Sequence, residues 1–335
     1  MQRKSFPVIV VLMGLIIFST VPFAFAEGSG VFSFFPGEAD SSSRLSAREK
    51  AADSSSGDEE ELDIVFSPAE YQFSGKKQRS YDSETLKYSV ESFEYHGAFC
   101  YLSKIWMQDP GKQIRKVTAA WKKNIVRPIN LAQKLPETAL AINGSGYVSP
   151  TYPWIPDEYP GTNSDYYYTP LGSITVTDGE VFRNLEGVPY SGLTLEADGL
   201  HMYVKEDNET VLASSPVQTW SFYEECPLIV EGRILIPEDW SFASAIARRT
   251  VIARINRNNY LVLTVTRDGS SGLTLWEVCD FFAENFYTEW VYNLDGGPSS
   301  ALICRNQGSS KLTTVTGGSA RDEDIMAFIE LPDEQ

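Results

Sequence analysis

From Leu86 onward, turn-forming residues cut this chain into apolar runs too short for most helices. Tyr95-His96-Gly97, Thr177-Asp178-Gly179, Asp198-Gly199 and Asn256 to Asn259 each separate two runs rich in β-branched and aromatic residues. Asp-Gly supplies the positive φ that a tight hairpin demands, so these segments predict antiparallel strand pairs. The expected pairs join Leu86 to Val90 with Ala98 to Leu102, Gly172 to Val176 with Glu180 to Phe182, and Leu193 to Leu195 with His201 to Val204. Arg248 to Ile255 and Tyr260 to Thr266 form a further pair. Helices are few. Ile129 to Lys134, closed by Pro136, is one. Another has a clean start: Thr274 and Glu277 have capping-box spacing, and Leu275, Val278, Cys279 and Phe282 share one face. This pattern predicts an α+β fold, a mixed or antiparallel β-sheet core with few helices in a single large domain.

That domain is expected over 64–335, because what precedes it cannot form a core. Residues 1–26 read as a signal peptide, with basic Gln2-Arg3-Lys4, apolar Val8 to Phe18 and a small-x-small site at Ala24-Phe25-Ala26, so cleavage is expected after Ala26. Ser19, Thr20 and Pro22 interrupt the apolar run, which argues against a stable membrane span. No cysteine follows the cleavage site to carry a lipid anchor. Residues 27–63 include Ser41 to Ser43, Ser54 to Ser56 and Asp58 to Glu61, an acidic, Ser-rich composition expected to be a disordered tether. The expected location is secreted, or the cell envelope or periplasm.

The formal charge of -17 makes nucleic acid a poor partner. Cys100, Cys226, Cys279 and Cys304 lack zinc-site spacing; in an exported chain they either form disulfides or stay as free buried thiols. His96 and His201 stand in no metal spacing, and no GxSxG elbow surrounds Ser299, which argues against a zinc or Ser-His-Asp hydrolase. An oxygen-ligand cation such as Ca2+ near Asp295 or Asp268 is left open, with no cofactor required. Asn143-Gly144-Ser145 and Asn208-Glu209-Thr210 match the glycosylation sequon.

Two glycine-rich polar turns follow apolar strands. Ala139 to Ile142 delivers Asn143-Gly144-Ser145-Gly146-Tyr147, and Val291-Tyr292 delivers Asn293-Leu294-Asp295-Gly296-Gly297-Pro298-Ser299-Ser300 before apolar Ala301 to Ile303. Between them, Pro150 to Pro170 holds five prolines with Trp154 and several tyrosines, a composition suited to a lid or a sugar-binding loop, and equally to an aromatic cover.

Taken in order, Ile105-Trp106-Met107-Gln108-Asp109-Pro110, Ala141 to Tyr147, Leu228-Ile229-Val230-Glu231-Gly232, Arg249-Thr250-Val251-Ile252 and Asn293 to Ser300 resemble the phosphodiester glycosidase family from about Leu86 to the end. Phe222 and Pro227 are separated where the family has a compact Phe-Gly-Pro, and Ala245-Ile246-Ala247-Arg248 replaces its usual His-Pro. The resemblance implies an exported hydrolase, a glycosidase that cleaves the sugar-phosphate bond of a sugar-1-phosphodiester in a glycan or glycopolymer such as an exopolysaccharide. A non-catalytic glycan-binding module on the same fold is the alternative.

Such a cleavage needs a binder for phosphate charge, stabilisation of an oxocarbenium-like sugar and proton management. Arg249 offers a bidentate fork for the phosphate, or a structural ion pair. Asp295 and Asp268 are the candidate catalytic carboxylates, with retention or inversion set by their separation. The N–H groups of Gly296 and Gly297 are candidates for holding an oxyanion. Ser299, Ser300 and Asn143 are candidates for sugar hydroxyls or phosphate, with Gly144 and Asn293 completing the substrate-binding turns.

Overall fold

The structure, a computed structural model, describes residues 76–119, 125–147, 170–266 and 272–332. The expected signal peptide and tether, nearly all of the aromatic loop, and Asp268 lie outside these residues.

The strands are β1 (Lys76–Asp82), β2 (Leu86–Tyr95), β3 (Ala98–Met107), β4 (Ile114–Thr118), β5 (Thr138–Asn143), β6 (Ile174–Thr177), β7 (Glu180–Asn184), β8 (Tyr190–Glu196) and β9 (Gly199–Glu206). They continue as β10 (Gln218–Trp220), β11 (Pro227–Val230), β12 (Arg233–Ile234), β13 (Thr250–Arg254), β14 (Asn259–Val265), β15 (Trp290–Asn293), β16 (Ala301–Arg305), β17 (Leu312–Gly317) and β18 (Asp324–Ile329). Helices α1 (Pro110–Gln113), α2 (Pro128–Ala132), α3 (Asn208–Ala213), α4 (Ser241–Ser244) and α5 (Leu275–Asn285) are short apart from the last.

An eight-stranded sheet runs β1-β2-β3-β14-β13-β15-β11-β12, and a five-stranded sheet runs β17-β16-β5-β18-β4. A three-stranded sheet, β10-β8-β9, and the β6-β7 hairpin complete the fold, and the paired strands are antiparallel throughout. This is the α+β architecture that short strands and tight turns predict. The turn residues behave accordingly: His96, Gly97, Asp178 and Gly179 all have positive φ.

Alternation along the central strands builds the layers. Ile252, Tyr260, Val262 and Tyr292 of the large sheet face Leu140, Ile142, Leu302, Met326 and Phe328 of the five-stranded sheet across one core. The opposite residues, Val251, Ala253, Leu261, Leu263 and Val291, pack on Leu275, Val278, Phe281 and Phe282 of α5. On the far side, Ala141, Ile303, Ile325 and Ala327 bury Leu131 and Ala132 of α2. The order is α5, large sheet, five-stranded sheet, α2.

Polar strands escaped the sequence reading. β1 is a charged edge strand, and β4 reads Ile-Arg-Lys-Val-Thr, which carries little apolar signal because Lys116 points into the protein rather than to solvent. Both sequons fail as glycosylation sites, since Asn143 is fully buried and Asn208 is buried against Asn184 and Leu185. The cysteines are free and buried, and burial pushes the Cys100 thiol up to about 12. The disulfide alternative is therefore overturned.

The capping box is formed as expected. Thr274 Oγ1 accepts from Glu277 N at 3.1 Å, and Glu277 Oε2 accepts from Thr274 N at 2.8 Å. Thr274→Ala should cost about 1 kcal/mol, read as a lowered urea midpoint at unchanged slope.

Candidate active site

Asn143 ends β5 and holds the two large sheets together. Its Nδ2 donates to the Asp295 carbonyl at 2.7 Å, and its Oδ1 accepts from Thr250 Oγ1 at 2.7 Å and from Ala301 N at 3.0 Å. One buried amide thus joins β5 and β16 of one sheet to the ends of β13 and β15 of the other. The next residue extends the link, since Asp295 N donates to Gly144 O at 3.2 Å and Gly144 N donates to Asp324 O at 3.2 Å. A Cβ at Gly144 would collide with the Asp324 carboxylate, so only glycine allows this approach. Ser145 N donates to Asp324 Oδ1 at 2.8 Å.

Around this junction the chain gathers acids. Asp322, Glu323 and Asp324 are 1%, 0% and 0% exposed, and Asp295 is partly buried beside them. Lys116 on β4 meets Asp324 Oδ2 at 3.0 Å with both side chains fully buried, and its Nζ also donates to the Thr219 carbonyl at 2.8 Å. Neither oxygen of Asp322 or of Glu323 has a hydrogen-bond partner. The Ser299 side chain approaches Asp295 and Asp322 and favours charge on each, although its contact with Asp322 falls short of hydrogen-bond geometry.

Burial dominates the acidities. It pushes Asp295 up to about 6 against the opposing pull of Ser299 and the Gly296 N–H, with the Asp324 charge adding to the rise. Asp322 is raised well above the usual carboxylate range by burial and by the Asp295 charge, and Glu323 by burial and by Asp324, with Lys116 opposing.

Several residues singled out from the sequence have other work here. The Arg249 fork expected to clamp phosphate is engaged with main chain: Nε donates to Leu273 O at 3.2 Å, and Nη2 to Ala245 O at 2.5 Å and Phe242 O at 3.3 Å. Its guanidinium also lies over the Phe242 ring, and its hydrogen-bond partners are carbonyls rather than the Asp of the alternative reading. The N–H groups of Gly296 and Gly297 donate to Asp295 Oδ1 at 2.7 Å and to Arg248 O at 2.9 Å. Asn143 is committed to the junction rather than open to a ligand. Asn293 Nδ2 faces Cys226 Sγ at 3.7 Å and its Oδ1 is unpartnered, as is the buried Ser300 Oγ. Asp268 lies outside the described residues.

The sequence reading missed Lys116, Thr250 and the Asp322-Glu323-Asp324 run. The available signal was an acid triplet running straight into the wholly apolar Ile325-Met326-Ala327-Phe328-Ile329. Among the described residues, a group of three potential metal ligands within 4.8 Å of one another occurs at Glu196, Asp198 and His201 on the β8-β9 hairpin. The acids around Asp295 are not gathered in such a group. His201 Nε2 is there paired with Asp198 Oδ1 at 2.7 Å.

Replacing Asn143 by Ala strands the Asp295 carbonyl, the Thr250 hydroxyl and the Ala301 N–H. A loss of about 2–4 kcal/mol is expected in chemical denaturation. The pH dependence has a definite sign. Asp295 binds its proton more tightly folded than unfolded, so stability from this group is complete below about pH 4 and is lost as pH rises to about 6. Asp295→Asn should therefore gain on the wild type between those values, in urea midpoints taken across the range.

The fold is shared with the catalytic domain of zebrafish N-acetylglucosamine-1-phosphodiester alpha-N-acetylglucosaminidase, solved auto-inhibited by its pro-peptide. The TM-score is 0.54 at 16% identity over 77% of this chain and 88% of that one. A hypothetical protein from Synechocystis gives a TM-score of 0.47 at 13% identity, over 74% of this chain and 63% of that one. No curated protein matches the sequence. The phosphodiester glycosidase family profile matches residues 137–324, more than half of the chain, from just before Asn143 through Asp295 to Asp324. The chain belongs to the phosphodiester glycosidase family.

Proposed function

We propose that this protein hydrolyses the bond between a sugar and the phosphate of a sugar-1-phosphodiester, in a glycan or glycopolymer met outside the cytoplasm. The observation that carries the reading is Asp295: a carboxyl raised to about 6 and backed by further buried acids, in the family's Asn-Leu-Asp-Gly-Gly turn. A carboxylate that changes charge near neutrality is suited to take a proton from water during glycoside cleavage.

The phosphate needs a counter-charge, and Arg249 is engaged elsewhere. Arg321 is exposed and directly precedes the acid triplet, and its carbonyl accepts from Tyr147 OH at 3.0 Å, so we assign the phosphate to its guanidinium. The unspent Ser300 hydroxyl is assigned to the substrate. The reaction as proposed requires no cofactor, with an oxygen-ligand cation such as Ca2+ near Asp295 as the alternative. Export rests on the amino-terminal sequence; among the described residues no helix is long and apolar enough to cross a membrane.

Purified protein should release sugar from a panel of sugar-1-phosphodiesters, with kcat/KM rising as pH passes about 6, where Asp295 loses its proton. Asp295→Asn should lower kcat by about 1,000-fold with the fold intact by circular dichroism. A protein that binds glycan, releases nothing and binds equally well as Asp295→Asn would instead be the non-catalytic module.

A further inference from the structure

We propose that Asp322 is the second carboxyl group of the reaction, giving its proton to the departing oxygen while Asp295 takes one from the incoming water. The inference rests on the reading of Asp295 just given and adds a residue to it.

The placement is set by the backbone. Met326 and Phe328 of β18 face the core between the two large sheets, and residues two apart on a strand share a face. Asp324 therefore continues that face toward the end of the strand where Asp295 sits, and Asp322 lies two residues beyond it, outside the strand and past a bend at Glu323. The chain leading to Asp322 is fastened alongside the Gly296 to Ser300 turn: Gly318 N donates to Ser300 O at 3.0 Å, and Ala320 N to Pro298 O at 3.3 Å. An antiparallel bridge between Val126 and Asp322, with Asp322 N donating to Val126 O at 2.9 Å, fixes the residue itself. Ser299 stands beside both carboxyls.

The side chain has no structural employment. It is 1% exposed, yet neither of its oxygens has a hydrogen-bond partner, whereas Asp324 nearby is tied to Lys116 and to Ser145 N. A buried polar group left without a partner is costly and calls for an explanation, and a carboxyl that carries a proton removes most of the cost. The groups facing it agree. Asp295 and Asp324 oppose a negative charge on Asp322, Ser299 favours one, and Lys116 is occupied by Asp324. Burial and the neighbouring Asp295 and Asp324 charges thus favour the protonated form of Asp322, the state a proton donor needs.

The step balances. The bond from the anomeric carbon to the phosphate oxygen breaks, its electron pair stays on that oxygen, and the Asp322 proton joins it. Water adds to the carbon and loses a proton to Asp295. Proton exchange with solvent returns both carboxyls to their starting state, and the sum is one sugar and one phosphomonoester from one phosphodiester and one water.

The test uses the chain from Glu27 onward with Asp322→Asn and Asp322→Glu, assayed on the methyl phosphodiester of N-acetylglucosamine 1-phosphate and followed by carboxyl NMR titration. Asp322→Asn should lose about 100- to 1,000-fold in kcat with KM within about twofold. It should also lose the alkaline limb of the pH profile, while Asp322→Glu regains part of the rate. Because the Asp295 charge opposes ionisation of Asp322, Asp295→Asn should lower the Asp322 titration midpoint. An active wild type with Asp322→Asn within about fivefold of it, or an Asp322 midpoint unmoved by Asp295→Asn, overturns the assignment and leaves the proposed function standing. A wild type inert on this and other sugar-1-phosphodiesters defeats both.

Discussion

The Asn143 amide is the contact on which the arrangement depends. Two stacked sheets touch through apolar side chains, and apolar contacts alone do not fix how far one sheet slides over the other. Asn143 makes directional bonds to Thr250 and Asp295 on one side and to Ala301 on the other, so it sets the register between the sheets at the point where the acids converge. The burial of Asn143, Thr250 and Asn293 follows from that role, because each lies where a strand of one sheet ends against the other. A buried amide with its partners supplied specifies one arrangement.

The charge balance around the junction is lopsided. Four acids, Asp295, Asp322, Glu323 and Asp324, lie together with Lys116 as the buried ammonium paired to one of them. Carboxyls in that setting cannot all ionise, and the raised pKa values of Asp295, Asp322 and Glu323, weaker acids than their exposed counterparts, are the expected response. This tendency to hold protons above the usual carboxylate range distinguishes the junction from an ordinary polar seam. A segment that only closed the fold would be better served by apolar residues of similar volume.

Much of the architecture was legible in the sequence, and for local reasons. Asp178-Gly179 and His96-Gly97 dictate hairpins through backbone geometry, and the Thr274 to Glu277 box dictates a helix start, without reference to the rest of the chain. Asp295 and Asn143 were legible because a polar, glycine-rich turn after a buried strand is an unusual juxtaposition. Asp322 and Lys116 were not, because an acid run and a lone lysine normally lie in solvent; the pairing of β4 with β18 and the bridge from Val126 to Asp322 put them inside. The partners of Arg249 were illegible for a related reason: sequence shows a guanidinium on a buried strand, but not the carbonyls of Phe242, Ala245 and Leu273 waiting for it.

The Lys116 and Asp324 pair also bears on the order in which the chain can assemble. β4 lies near the start of the described chain and β18 near its end, and they meet as neighbours at one edge of the five-stranded sheet. The ammonium that makes an ionised Asp324 tolerable reaches it only when the two distant segments have closed a long loop, a slow event in chain folding. Until then the acid segment is stable only while wet or protonated. Closure of that sheet edge and the drying of the acid cluster are therefore one late step, and mild acidity should ease it.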